Sequence, residues 1–308
     1  MRAFLFPGQG SQAVGMGAAL AGASRAAHDI FAEVDEALGQ NLFRLMRDGP
    51  DEELKLTENA QPAIMANAIA VFRTLGIPLR DVADFVAGHS LGEYSALCAA
   101  GSFDLATTAR LLKLRGQAMQ QAVPVGVGAM AALLGADLAL AQRVADAAAQ
   151  GEVCTVANDN DPTQVVISGH KGAIDRAIEI AKEMGAKRAL PLPVSAPFHC
   201  PLMQPAAEAM RDALGYVVVE APVVPLYANV SALPETDADT IRNQLVEQVT
   251  GMVRWRESIA NMAAVGVDDF VEFGGKVLGG MVKRIVPDAK VTSVVTIEDV
   301  EALAKEIA

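Results

Sequence analysis

The run Gly88-His89-Ser90-Leu91-Gly92 spells G-x-S-x-G, with the short apolar stretch Phe85-Val86-Ala87 before it. A helix-forming run from Glu93 to Ala100 follows and stops at Gly101. This spacing predicts a strand, a sharp turn and a helix in direct succession, which commits the chain to an α/β architecture. The flanking glycines are needed because side chains two residues either side of the serine would collide in so tight a turn. The turn presents Ser90 at a helix N-terminus, where free N–H groups and the helix dipole favour developing negative charge. Taken alone, the motif admits two readings: a nucleophile elbow, or a glycine-rich strand–helix turn capped by a serine.

With 308 residues, 52% of them apolar, the chain is long enough for one large domain or two modest ones around a substantial core. Its 25 basic and 37 acidic residues give a net charge of −12, which argues against nucleic acid as a partner. Cys98, Cys154 and Cys200 are far apart and form no C-x-x-C pair. A zinc site or disulfide framework is therefore not expected, and a reducing, cytoplasmic setting is. The opening Met1-Arg2-Ala3-Phe4-Leu5-Phe6 holds too short an apolar run for a secretory signal, and no stretch reaches the length of a membrane span.

Along the chain, Ala3 to Phe6 reads as a buried strand closed by Pro7-Gly8. The loop Gly8-Gln9-Gly10-Ser11-Gln12 has neither the lysine of a P-loop nor the G-x-G-x-x-G spacing. It reads either as a plain strand–helix turn or as a loop whose N–H groups face a site. Helical patterns run from Ser24 to Thr74, with breaks expected near Gly49-Pro50 and Gln61-Pro62. From Gly128 to Val194 the order is strand (Gly128 to Leu134), helix (Asp137 to Gln150), strand (Val153 to Ala157) and strand (Gln164 to Ser168). A helix (Lys171 to Met184) and a strand (Arg188 to Leu192) complete it. This β-α-β-β-α-β order is the ferredoxin-like split pattern. It predicts a small domain over residues 127–196, inserted into a larger α/β domain built from 1–126 and 197–308. Beyond it come a helix from Pro205 to Leu214, a strand near Pro225 to Asn229, a helix from Asp239 to Val249 and a strand from Phe270 to Phe273.

A nucleophilic Ser90 needs a base, and the chain offers four histidines. His28 lies in a helical run and reads as a surface residue. His89 adjoins Ser90 in the turn, where neighbouring side chains diverge. His170 follows a strand of the small domain and reads as a helix cap. His199 sits in Ser195-Ala196-Pro197-Phe198-His199-Cys200-Pro201, a proline-bracketed loop at the return to the large domain. By elimination it is the best partner, against the alternative of a packed loop histidine. No Asp or Glu stands out as a third member, so a backbone carbonyl is the other way to orient the imidazole. Arg115, between apolar leucines and Gly116, reads either as an exposed helix arginine or as a guanidinium that grips a carboxylate.

With these residues in view, the chain resembles the malonyl-CoA:acyl carrier protein transacylases of fatty acid synthesis, within the wider acyltransferase family of fatty acid and polyketide synthesis. The resemblance runs nearly end to end. It rests on Phe6-Pro7-Gly8-Gln9-Gly10-Ser11-Gln12, Thr57 through Gln61-Pro62-Ala63, Gly88-His89-Ser90-Leu91-Gly92-Glu93-Tyr94 and Arg115-Gly116. Further on it rests on Gly128-Ala129-Met130, Gln164 to Gly169, Pro197-Phe198-His199 and Lys276-Val277-Leu278. It implies an α/β-hydrolase-like large domain with a mostly parallel sheet and an inserted ferredoxin-like domain. It implies Ser90 as nucleophile, His199 as general acid/base, and Arg115 as the clamp for the free malonyl carboxylate. It further implies an oxyanion hole from the N–H groups of Gln9 and Leu91, with Gln61, Asn158 and Asn229 as polar positions near the site. A main-chain carbonyl of Val253-Arg254-Trp255, placed at Arg254, would orient His199. Phe198 resembles the malonyl-selective form of its motif and would fill the space of an α-methyl branch.

The resemblance implies ping-pong acyl transfer from malonyl-CoA to holo-acyl carrier protein. No bound cofactor, metal, nucleic acid or membrane is expected to take part, and a monomer is the expected working unit. The carrier protein is acidic, so docking on a net-negative enzyme calls for a local basic patch; Lys187-Arg188, Lys113 and Lys283-Arg284 are the candidates. One departure stands out. Family members commonly read E-x-G-x-G-K, whereas Glu272-Phe273-Gly274-Gly275-Lys276 is one residue shorter. The rival readings are a thioesterase or esterase using the same elbow, a polyketide acyltransferase, and a binding protein that keeps the fold.

Overall fold

A computed structural model describes residues 1–307. Ten strands form two sheets: β1 (Arg2–Phe6), β2 (Phe85–Gly88), β3 (Gly128–Leu134), β4 (Cys154–Asp161), β5 (Gln164–His170), β6 (Arg188–Pro191), β7 (Leu226–Tyr227), β8 (Pro234–Glu235), β9 (Asp269–Phe273) and β10 (Lys290–Val294). The larger sheet has the order β10-β9-β1-β2-β7-β8. All its pairs are parallel except β7 with β8. β1 lies inside this sheet and is buried from Ala3 onward on both faces, which is why it reads as an unbroken apolar run. Its Phe4 and Phe6 pack against Phe72 and Phe273, joining strands to the helix Thr57–Thr74. Among the described residues no helix is long and apolar enough to cross a membrane.

The second sheet is antiparallel throughout, with the order β4-β5-β3-β6. In chain order that is the ferredoxin-like arrangement read from the sequence. β3 divides its side chains by the two-residue period of a strand. Ala131 and Leu133 pack with the helices Leu138–Ala149 and Lys171–Glu183, while Met130 and Ala132 join the core of the large sheet. The small sheet is thus covered on both faces. Asp137 caps the first of its helices by accepting Leu140 N–H at 2.8 Å.

Two expectations need correction. No break occurs at Gln61-Pro62: a single helix, Thr57–Thr74, passes through Pro62. The proline stands in the second turn and forfeits one ladder hydrogen bond, and burial of the helix from Thr57 to Phe72 outweighs that loss. Nor does the second strand of the insert stop at Ala157, because β4 continues through Asn158-Asp159-Asn160-Asp161. These polar residues stay buried because the large domain supplies partners. Asp159 pairs with Arg256 and Asp161 with Arg284, each at 2.8 Å. Val253 adds a bridge, donating to Ala157 C=O and accepting Asp159 N–H, both at 2.9 Å. The strands β8 and β10 and the helices Trp255–Ala264, Leu278–Ile285 and Ile297–Ile307 were not anticipated.

Candidate active site

β2 ends at Gly88 and the helix Gly92–Ala99 begins after the turn that carries Ser90. Ser90 has φ +54°, the left-handed region that residues with side chains avoid. Both glycines are sterically required. A Cβ on Gly88 would lie 1.9 Å from the Gly92 carbonyl carbon, and one on Gly92 would lie 2.2 Å from Phe6 O. The strained peptide is held on both sides. Ser90 N–H donates to Asn229 Oδ1 at 2.8 Å, and Gln248 Nε2 donates to Ser90 C=O at 3.0 Å. Asn229 Nδ2 also donates to Gly88 C=O at 2.7 Å.

The loop after β6 brings His199 Nε2 to 2.8 Å from Ser90 Oγ. His199 Nδ1 lies 2.8 Å from the backbone oxygen of Gln248. A carbonyl can only accept, so Nδ1 carries the hydrogen and Nε2 presents its lone pair to the serine. Burial, reinforced by the Arg115 charge, pushes the His199 pKa down to about 3. The ring is therefore neutral at physiological pH. Arg254 is not the orienting group: its carbonyl accepts Ser258 N–H and Oγ–H instead. Gln248 is the last residue of the helix Ala238–Gln248, and the final carbonyls of a helix have no partner in their own ladder. That free acceptor takes the place expected at Val253-Arg254-Trp255.

Arg115 comes from the helix Leu105–Gln121 and is 1% exposed. Nη1 donates to Gln61 Oε1 at 2.7 Å, and Nη2 donates to Gln248 Oε1 at 2.8 Å and to Ser90 Oγ at 3.2 Å. The guanidinium lies 5.7 Å from the centre of the Tyr94 ring. Among the described residues no carboxylate lies within salt-bridge distance of it, and its Nε is buried without a hydrogen-bond partner. A buried cation with an unused donor beside a serine hydroxyl is a ready receptor for a small carboxylate.

Leu91 follows the serine in the chain, and the loop after β1 runs against the same turn, where a Cβ on Gly8 would lie 2.6 Å from His89 O. Gln9 lies in the loop after β1 and its side chain accepts Thr57 Oγ1–H at 3.0 Å. Among the described residues the backbone N–H groups of Gln9 and Leu91 have no hydrogen-bond partner, so both are free to receive an oxyanion. Gln61 and Asn229 are brought to the site by the contacts above. Asn158 is buried in β4, and its side chain makes no hydrogen bond among the described residues. The neighbouring Asn160 is the one that reaches the elbow, with Oδ1 2.8 Å from His89 Nε2. Phe198 packs into the main core beside His199. Of the remaining histidines, His28 is exposed, and His170 accepts Val153 N–H at 2.9 Å.

Sequence reasoning missed Gln248, Glu93 and Asn160. Glu93 is 0% exposed, and desolvation raises its pKa to about 7 against the pull of its hydrogen bonds and of Arg115. The shortened loop Glu272 to Lys276 also has a defined shape. Glu272 is buried and accepts the N–H groups of Val277 at 2.9 Å and Gly279 at 3.0 Å, closing the N-terminus of the helix Leu278–Ile285.

Comparison with known proteins gives a consistent set of likenesses. The acyl transferase domain profile matches residues 3–275. The malonyl CoA-acyl carrier protein transacylase of Escherichia coli (strain K12) is 48% identical over 285 residues, covering 92% of each chain. The protein of that name from Bacillus subtilis (strain 168) is 46% identical over 304 residues, 97% of this chain and 95% of the relative. Among solved structures, an acyl-carrier-protein-S-malonyltransferase from Bartonella henselae superposes with a TM-score of 0.97 at 51% identity, covering 99% of both chains. A malonyl-transacylase solved in complex with its type II PKS acyl-carrier protein gives a TM-score of 0.96 at 41% identity, again over 99% of both chains.

Proposed function

The chain belongs to the acyl transferase domain family, and from that premise we propose that it transfers the malonyl group of malonyl-CoA to the phosphopantetheine thiol of acyl carrier protein, for fatty acid biosynthesis. The observation that carries this reading is the convergence of a base and a cation on one oxygen: Ser90 Oγ lies 2.8 Å from His199 Nε2 and 3.2 Å from Arg115 Nη2.

His199 Nε2 takes the Ser90 proton as Oγ attacks the thioester carbonyl. The tetrahedral oxyanion is received by the N–H groups of Gln9 and Leu91, each worth about 3 kcal/mol. The imidazolium is steadied through Nδ1–H by the Gln248 carbonyl, so no third carboxylate is required. Collapse expels the CoA thiolate, which recovers the proton from Nε2 and leaves as the thiol. Malonyl-Ser90 is then attacked by the carrier thiol, His199 again holding the proton, and the serine is regenerated. Arg115 receives the free carboxylate of the malonyl group. That anion offsets the Arg115 charge, which otherwise depresses His199, so docking of a malonyl substrate raises the basicity of the group that must take the serine proton. Phe198 narrows the space beside the α-carbon.

In this reading residues 1–126 and 197–308 form the catalytic domain, and 127–196 the insert that closes the site from the other side. The enzyme works in the cytoplasm as a monomer without a bound cofactor, and the carrier protein docks on Lys187 and Arg188. Those two are exposed and free of ion pairs among the described residues, whereas Lys113 pairs with Glu58 and Arg284 with Asp161.

The deciding experiment is intact-protein mass after mixing with malonyl-CoA alone, beside Ser90→Ala. A gain of one malonyl group, absent from the variant and discharged by holo-acyl carrier protein, is expected. Steady CoA release without an adduct would instead make the protein a hydrolase.

A further inference from the structure

The two residues that hold the Ser90 peptide, Asn229 and Gln248, both donate to one carboxylate oxygen. Glu93 Oε2 accepts the backbone N–H of Asn229 at 3.2 Å and the side-chain Nε2 of Gln248 at 2.7 Å. Asn229 Oδ1 in turn accepts Ser90 N–H, and the same Gln248 Nε2 donates to Ser90 C=O. Ser90 stands at φ +54°, a conformation that persists only where its surroundings over-determine it. Gln248 also carries Arg115 on its Oε1 and orients His199 through its backbone oxygen. Glu93 is fully buried, and its second oxygen, Oε1, has no partner. An acid in so dry a place costs stability that an apolar residue of similar size would not. Such a residue would, however, leave the Asn229 amide and the Gln248 amide without their acceptor.

We propose that Glu93 is a positioning residue for acyl transfer, its Oε2 bracing the Ser90 turn through Asn229 and Gln248 and thereby holding the serine hydroxyl within reach of His199. The role deepens the transacylase reading and rests on Ser90 as nucleophile. It belongs to the reach of the side chain rather than to its charge, because Oε2 acts as an acceptor at a fixed distance. Glutamine keeps that reach without the charge, and aspartate keeps the charge but withdraws the oxygen by one methylene.

The test compares Glu93→Gln with Glu93→Asp. The readouts are kcat and KM for malonyl and acetyl transfer on folded enzyme counted by active-site titration, and the rate at which a fluorophosphonate labels Ser90. Misplacement of a reacting group by about 1 Å can cost about a hundredfold. Glu93→Asp should therefore lose about 30- to 100-fold in kcat for both acyl groups and in labelling, with KM for malonyl-CoA within about threefold of the native value. Glu93→Gln should keep at least about ten times the kcat of Glu93→Asp. Equal losses in the two variants, the reverse ranking, native kcat in both, or a loss confined to KM would overturn the proposal. Gln248→Met gives a second arm: it removes the side-chain donor together with the Oε1 that carries Arg115 and leaves the carbonyl under His199, so acetyl transfer, which does not use the Arg115 clamp, is its diagnostic readout. This variant should lower kcat for both acyl groups, and native kcat for acetyl transfer would overturn the brace even if Glu93→Asp did not fold. Failure of Ser90 to acylate in the unaltered protein would instead count against the transacylase reading itself.

Discussion

Arg115 carries a buried charge that no carboxylate of the described chain meets directly. Neutral amides and a hydroxyl hold it in place, which leaves its electrostatic partner to come from outside. Arg115→Ala should lower kcat/KM for malonyl transfer by about a hundredfold, as for loss of a charge-assisted bidentate contact, and acetyl transfer by less than about threefold. Equal losses with the two donors would refute the clamp. His199 offers a second check at this scale. With its pKa pushed down to about 3, the ring should show no titration between pH 5 and 8 when its resonances are followed by NMR. A midpoint near the ordinary histidine value would contradict the buried, neutral base. The sign for stability follows: an unfolded chain protonates this histidine as pH falls below about 6.5 and the fold resists, so this contribution to stability is lost toward acid. Ser90 stood out in the sequence through its glycine-punctuated turn and His199 by elimination among four histidines, whereas the spacing around Arg115 left two readings open and only the resemblance singled it out. Gln248 and Glu93 did not stand out, since an amide and an acid near helix ends look ordinary until burial shows how few partners are available to them.

At the scale of elements, the placement of Arg115 depends on a close crossing of two helices. A Cβ on Gly116 would lie 2.5 Å from Glu58 Cα and 2.6 Å from Thr57 O, both backbone atoms that cannot step aside like a side chain. Gly116→Ala should therefore force the helices Leu105–Gln121 and Thr57–Thr74 apart, at a cost of about 1–3 kcal/mol in chemical denaturation. Because Arg115 and Gln61 ride on those helices, malonyl transfer should fall more than acetyl transfer; unchanged stability would show that the crossing is looser than described. The regular elements of the insert were legible because caps and glycine stops punctuate them, as at Asp137 and Gly185. The far half of β4 was not. Asn158 to Asp161 reads as a loop by composition; it continues the ladder with β5, and its polar side chains are tolerated there because Arg256, Arg284 and His89 lie across from them. Pro62 failed for the converse reason, since a local breaking signal yields when the whole helix is buried.

For the molecule as a whole, a net charge of −12 sets a repulsive background for an acidic carrier protein. Docking then depends on a small region where the local field is reversed. Charge reversal of Lys187 and Arg188 should raise KM for acyl carrier protein by about tenfold at low salt, and more than it slows acylation of Ser90 by malonyl-CoA. An unaltered carrier KM would move the docking face elsewhere. The division into a large parallel sheet and a ferredoxin-like insert was legible from the order of elements. The depth of the contact between them was not, because it lies in which face of each strand meets which core.

That contact limits what can be done with the insert. Met130, Ala132, Ala157 and Val166 belong to the core of the large sheet, and Asp159 and Asp161 are paired with helices beyond it. Excision would uncover an oily floor and strand two arginines. A transplant from a relative would have to bring a matching underside as well as its own helices. Protein engineers seeking a new acyl preference would do better to recut the lining in place than to treat these residues as an exchangeable cassette.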